Sequence, residues 1–180
     1  MPDDNENVAQ SQSRLSRFVA LLIRHKVEFL VIGGQAEILM GGARVTFDTD
    51  LCYDRSPDNL ERLASALAEI NPSLRGAPAE LPFKFDAQAL AFGSNYTLVT
   101  DIGALDLLGW VEPIGDYNAL QASAETHVVR QTPVRTIGLE DLIRIKEHIN
   151  RPKDRDSLFQ LIAIRAIRNE QRKKNTDDHV

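Results

Sequence analysis

The segment EFLVIGGQAEILM, residues 28–40, constrains the fold more than any other part of the chain. It begins as a short apolar run that is typical of a buried strand, and this run ends at Gly33 and Gly34. The residues after the glycines suit a short helix, and a second strand pattern, TDLCY, follows at residues 49–53. The order strand, glycine turn, helix and strand predicts a mixed α/β domain.

Two aspartates, Asp48 and Asp50, accompany the second strand. Alternate residues of a strand project from the same face, so these carboxylates are expected side by side, roughly 6 to 7 Å apart at the backbone. Such charges repel each other, and a divalent cation between them favours both ionised forms. Oxygen ligands suit Mg²⁺ or Mn²⁺. Chance also produces such pairs, since Asp154 and Asp156 form another D-x-D.

The glycine turn adds a second chemical feature next to the aspartates. Free backbone N–H groups at a helix start can meet a phosphate, and glycine lets the phosphate approach closely. Gly33 and Gly34 are therefore candidate phosphate-binding residues. Taken alone, the pair is equally compatible with an ordinary turn between a strand and a helix.

The combination of the apolar strand, the GG pair, R-x-T at Arg44 and D-x-D-L resembles the nucleotidyltransferase superfamily related to DNA polymerase β. The resemblance is greatest to its small bacterial members, similar to the AbiEii toxins and the minimal nucleotidyltransferases, and it runs from about residue 27 to 161. It implies a small mixed sheet flanked by helices, with a helical C-terminal unit. Many members have Gly-Ser where this chain has Gly33-Gly34. That difference removes a hydroxyl near the phosphates and keeps the backbone amides.

The resemblance also implies a third carboxylate on a later strand, for which the chain offers Asp101 and Asp106. Asp106 lies between leucines in the strand pattern ALDLLG, where an uncompensated charge is costly. Asp101 lies just before a turn expected at Gly103, where an aspartate is ordinary. We favour Asp106, and Asp101 remains the alternative.

Basic residues near the C-terminal helices form the other candidate group. The stretch KEHINRPKDRD resembles the K-x4-R-x2-D-x-D arrangement of the superfamily, whose basic groups face the triphosphate or the acceptor. By this resemblance the candidate phosphate-binding cations are Lys146, Arg151 and Lys153, with Arg44 beside the metal strand. The other interpretation is a helix–turn–helix whose charges are solvated.

Bulk properties limit the class of protein. With 180 residues and 43% hydrophobic content, the chain can bury one core. The lone Cys52 cannot form an internal disulfide, and no apolar run approaches the roughly 18 residues of a membrane span, so we expect a cytoplasmic protein. The net charge of −5 argues against a general binder of polyanions. The expected division is a disordered tail at 1–12, an α/β core at 13–138, a helical unit at 139–170 and a polar tail at 171–180.

The function implied by the resemblance is metal-dependent transfer of a nucleoside monophosphate from a nucleoside triphosphate to an acceptor hydroxyl. Asp48, Asp50 and Asp106 would hold Mg²⁺ or Mn²⁺. Small members of the superfamily are often toxins or resistance enzymes, so the acceptor is a tRNA, a protein or a small molecule, and a toxin would have a cognate antitoxin. The alternative is a catalytically idle module of the same fold that binds nucleotide or a partner. Phosphohydrolysis is less favoured, because the sequence shows no His–Asp pairing typical of such enzymes.

Overall fold

The structure is a computed structural model and describes residues 4–78 and 84–177. Helices and strands alternate through the first half of the chain, and two long helices follow the last strand. In chain order the elements are α1 (Asp4–Arg24), β1 (Phe29–Val31), α2 (Gly33–Leu39), β2 (Thr49–Tyr53), α3 (Pro57–Ala68), β3 (Ser73–Leu74), α4 (Ala87–Phe92), β4 (Asn95–Val99), β5 (Ala104–Leu108), α5 (Tyr117–Gln121), β6 (Glu125–Val129), β7 (Thr132–Thr136), α6 (Leu139–Ile149) and α7 (Pro152–Asp177).

The strands form one mixed sheet in the order β3-β4-β5-β2-β1-β7-β6. Strand β2 pairs antiparallel with β1 and parallel with β5, and β1 pairs parallel with β7. The remaining neighbours are antiparallel. The predicted fold class, a mixed sheet flanked by helices with a helical C-terminal unit, is therefore confirmed.

Hydrophobic periodicity predicted the helices that cover this sheet. The i, i+3, i+4, i+7 spacing of Leu15, Phe18, Val19 and Leu22 predicts an amphipathic helix, and these side chains are almost completely buried in α1. In the sequence, Ser56 and Pro57 predict an N-cap and the first position of a helix, and α3 begins at Pro57. The Ser56 hydroxyl does not cap α3 and instead donates to the Asp54 carboxylate.

The structure differs from the sequence predictions in several segments. Helix α1 begins at Asp4, inside the predicted disordered tail, and α7 continues to Asp177, inside the predicted polar tail. Both extensions prolong an anchored helix, which costs less than starting a new one. Strand β3 lies in the stretch NPSLRGAPAELP, residues 71–82, whose composition predicts a loop and whose residues 79–82 are outside the described part. Helix α5 was not predicted, although Asp116 provides its N-cap by accepting from the Ala119 N–H.

Within the described residues, no helix is both long enough and apolar enough to span a membrane.

Candidate active site

The three predicted carboxylates come from two neighbouring strands. Asp50 lies in β2 and is the register partner of Asp106 in β5, and Asp48 lies just before β2. Asp101 lies in the turn between β4 and β5, where its Oδ2 accepts a hydrogen bond of 2.7 Å from Asn71 Nδ2. The structure thus brings Asp106, and not Asp101, beside the D-x-D pair.

These carboxylates open into a cavity of about 410 Å³. The same cavity is lined by predicted phosphate-binding residues from α2, from the segment before β2 and from α6, so acidic and basic groups share one space. The predicted residues among its lining are Gly33, Gly34, Arg44, Asp48, Asp50, Asp106, Lys146 and Arg151. The side chain of Lys153 lies outside what the structure describes.

The glycine turn is in direct contact with the Asp50 carboxylate. Gly33 has a φ of +60°, and a Cβ added there would lie 2.1 Å from Asp50 Oδ2. Both the backbone conformation and the space therefore require glycine. The Gly34 N–H, predicted to face a phosphate, donates a hydrogen bond to Asp50 in this structure. The turn thus positions a carboxylate, and its role toward phosphate stays a prediction.

Burial and neighbouring charge both disfavour the ionised form of Asp50. The pKa of Asp50 is raised from 3.8 to about 6, chiefly by burial and then by the charges of Asp106 and Asp48, against the opposing Gly34 hydrogen bond and Lys146 ammonium. Burial also raises the pKa of Asp106, while Arg75 opposes this effect. In the absence of a cation, the negative charges of Asp48, Asp50 and Asp106 therefore repel one another and destabilise the fold.

This charge predicts how stability depends on pH. The Asp50 carboxyl binds its proton more tightly in the folded protein than in the unfolded chain, so its stabilising contribution is complete below about pH 4 and is lost as the pH rises to about 6. We expect Asp50→Asn to remove this dependence and to stabilise the metal-free protein above pH 6 by about 3 kcal/mol. Urea unfolding of both proteins between pH 4 and 8 measures it. Parallel pH profiles would contradict the expectation.

Arg75 is a member of the site that the sequence analysis missed. Its Nη2 lies 3.1 Å from Asp106 Oδ1 and 3.8 Å from Asp48 Oδ1. The guanidinium therefore neutralises part of the repulsion between two carboxylates from different strands. No sequence signal marked Arg75, because it follows the short strand β3 in a stretch that is typical of a loop.

The donor chemistry of the site suits a hard divalent cation. Three carboxylates supply oxygen ligands, and the ion pairs with Arg75 show that the cluster attracts positive charge. With the side chains as they stand, no three His, Cys, Asp or Glu residues of the described chain are close enough to form a metal-binding group. Coordination of one ion by all three aspartates therefore requires their side chains to move closer together.

A buried ion-pair network forms the basic part of the cavity. Lys146 Nζ, on the nearly buried α6 side chain, lies 2.9 Å from Asp154 Oδ1, and Arg151 Nε lies 2.7 Å from Asp154 Oδ2. Burial raises the pKa of Asp154, but the hydrogen bonds from Arg151 and Lys146 outweigh it and lower this pKa to about 2. The network joins the end of α6 to the first turn of α7.

Glu37 is a second residue that the sequence analysis missed. Its side chain is completely buried, with Oε2 3.7 Å from Arg44 and 3.9 Å from Lys146. Neither of its carboxylate oxygens has a hydrogen-bond partner in the described chain. Arg44 in turn donates to the Ser157 hydroxyl of α7 at 2.9 Å. Glu37 thus attracts two cavity cations by charge, without a hydrogen bond among the described residues. The sequence signal that could have indicated Glu37 is a charged residue within the otherwise apolar helix pattern QAEILM.

Comparison with known proteins identifies the fold. No protein-family model matches the chain, and neither does any curated protein. Among solved structures, the lincosamide antibiotic adenylyltransferase LnuA, bound to lincomycin, has a TM-score of 0.58 at 15% identity, over 84% of this chain and 96% of LnuA. The chain has a nucleotidyltransferase fold.

Two further structures share this nucleotidyltransferase fold. The antibiotic-resistance factor ANT(2'')-Ia has a TM-score of 0.56 at 15% identity, over 96% of this chain and 98% of that protein. A putative nucleotidyltransferase from Thermotoga maritima, TM1012, has a TM-score of 0.52 at 15% identity, over 83% of this chain and 90% of TM1012. All three similarities extend over nearly the whole of the other chain.

Proposed function

We propose that the protein is a metal-dependent nucleotidyltransferase that transfers a nucleoside monophosphate from a nucleoside triphosphate to an acceptor hydroxyl. The observation that carries this proposal is the register pairing of Asp50 with Asp106 at a cavity that also contains Lys146 and Arg44. Carboxylates and cations in one space match the two requirements of the reaction, a metal site and a polyphosphate site. The nucleotidyltransferase fold supports the same assignment.

Each group of side chains has a distinct task in this proposal. Asp48, Asp50 and Asp106 would hold Mg²⁺ or Mn²⁺, which lowers the pKa of an acceptor hydroxyl and neutralises developing charge. Lys146 and Arg151 line the cavity and would bind the triphosphate there. Fixing the triphosphate in one orientation favours in-line attack of the acceptor oxygen on the α-phosphorus, with pyrophosphate leaving. No covalent protein intermediate is needed.

The acceptor is the least determined part of the proposal. LnuA was solved with lincomycin and ANT(2'')-Ia with adenylyl-2''-tobramycin, so a small-molecule hydroxyl is the acceptor class that the structural relatives favour. A tRNA or protein acceptor, a role as a toxin with a cognate antitoxin, and a cytoplasmic location stay predictions of the sequence alone. The idle-module alternative predicts nucleotide binding without transfer.

Thermal unfolding tests nucleotide and metal binding together. We expect Mg²⁺ with a saturating nucleoside triphosphate to raise the melting temperature by roughly 5 to 10 °C, because a ligand at a hundred times its Kd adds about 2.7 kcal/mol of stability. Asp48→Asn should lose most of this shift, whereas Asp101→Asn should keep it. Labelled triphosphates offered with small-molecule, tRNA and protein acceptors then distinguish an enzyme from an idle binder. If Mg²⁺ or Mn²⁺ changes the melting temperature with none of ATP, GTP, CTP and UTP, the proposed metal site is refuted.

A further inference from the structure

Helix α7 has one face on the protein and one face in solvent. Residues that pack inward recur every three or four positions, beginning with Asp154, Ser157 and Leu161, each almost completely buried. Further along, Arg165 pairs with Glu140 and Arg168 pairs with Glu125. The side of α7 opposite these contacts therefore faces away from the rest of the protein.

That outward side is apolar over its central two turns. Phe159 is 78% exposed, Ile162 39% and Ile167 55%, and Ala163 and Ala166 between them are exposed as well. We call these five residues the outer face of α7. Their spacing places them on a single stripe of the helix. A contiguous exposed apolar stripe containing a phenylalanine is typical of an interaction surface.

Charged residues flank the outer face at both ends. Arg155 lies one turn before Phe159, and Glu170 lies one turn after Ala166. Both are exposed, and within the described residues neither forms an ion pair, in contrast to Arg151, which is paired. Arg155 and Glu170 therefore place charges of opposite sign, unpaired within the described chain, at the two ends of the outer face.

Opposite end charges suit an antiparallel copy of the same helix. A two-fold axis passing between Ile162 and Ala163 would place Phe159 of one copy opposite Ala166 of the other, and Ile162 opposite Ala163. Phe159 and Ile162 then each meet an alanine, which allows two helices to approach to about 8 to 10 Å, while Ile167 lies opposite Leu158. The same axis places Arg155 opposite Glu170 of the second copy, twice.

We propose that the outer face of α7 is a homodimer interface, in which α7 packs antiparallel against α7 of a second copy of this chain. One symmetry operation pairs Phe159 and Ile162 with alanines and Arg155 with Glu170, and an isologous contact makes each of these pairs twice. A single pair of helices buries a small area, so the dimer is weak and forms at micromolar concentrations.

Sedimentation velocity on the full chain tests the interface. Between about 1 and 200 μM, the mass of the wild-type protein should rise from the 20.1 kDa monomer toward twice that value. Phe159→Glu should weaken association at least about tenfold, because it places a charge opposite Ala166. Val128→Glu is the matched control, since Val128 is 66% exposed on β6, and it should dimerise like the wild type. Circular dichroism verifies that each variant is folded.

A charge exchange tests the register of the helices. Arg155→Glu and Glu170→Arg should each weaken the dimer, and the double variant should restore it, because the opposite charges face each other again. A wild-type protein that stays monomeric at about 200 μM would show that the outer face does not bind a second copy, and would overturn the proposal. A dimer equally sensitive to Val128→Glu, or a double variant that is weaker than both single variants, would overturn it too.

Discussion

Asp106→Asn is expected to reduce nucleotidyl transfer at least about a thousandfold, a loss of about 4 kcal/mol of transition-state stabilisation. Asp106 lies opposite Asp50 in the sheet register, so it is positioned to complete the set of carboxylates. Asparagine keeps the size of the side chain and removes only its charge. Single-turnover assays with saturating triphosphate measure the chemical step directly.

Asp101→Asn is the matched control for this experiment. Asp101 is exposed and accepts a hydrogen bond from Asn71, so its loss should change the rate only a few-fold and stability by about 1 kcal/mol or less. An active Asp106→Asn combined with an inactive Asp101→Asn would reverse the assignment. Two fully active variants would eliminate the mechanism with three carboxylates.

Lys146→Met is expected to destabilise the fold by about 3 to 5 kcal/mol. The Lys146 ammonium lies between the fully buried carboxylates of Asp154 and Glu37, and methionine fills similar space without charge. Both buried carboxylates would then lose the positive charge that Lys146 provides. Removing one partner of a buried ion pair destabilises a protein much more than replacing the whole pair by apolar residues. Equilibrium urea unfolding at pH 7 measures the loss.

Arg151→Ala provides the comparison within the same network. Arg151 contacts the same carboxylate from a side chain that is 52% exposed, so solvent can replace much of what it contributes. We expect a change of about 1 kcal/mol or less. Equal losses for Lys146→Met and Arg151→Ala would show that burial does not determine the energetics of this network.

The sequence predicted the parts of the fold that local chemistry determines. Alternation along TDLCY and the glycines before QAEILM placed β2 and α2, and an aspartate between leucines indicated Asp106. Those features depend on neighbours within a few residues, where periodicity and turn chemistry act. The resemblance to the nucleotidyltransferase superfamily then supplied the expectation that Asp106 lies beside the D-x-D pair.

The partners of Arg75 and Glu37 could not be predicted in this way, because they are distant in sequence. Arg75 meets Asp106 only through the pairing of β3, β4 and β5, and β3 is too short for a periodic signal. Glu37 meets Lys146 only when α6 packs beside α2. A charge pair between distant elements leaves no spacing pattern in the sequence.

The short helix α2 sets a limit on how its own segment can evolve. Gly33, which accommodates the Asp50 carboxylate, and Glu37, which holds Arg44 and Lys146, are four positions apart and so lie on the same side of the helix. Adding or deleting a single residue between them would rotate one relative to the other by about 100°. A side-chain exchange at the half-buried Ile38 or Leu39 leaves this spacing unchanged. The length of this segment is therefore fixed by the site, in addition to the limits that burial sets on Gly34, Gln35 and Ala36.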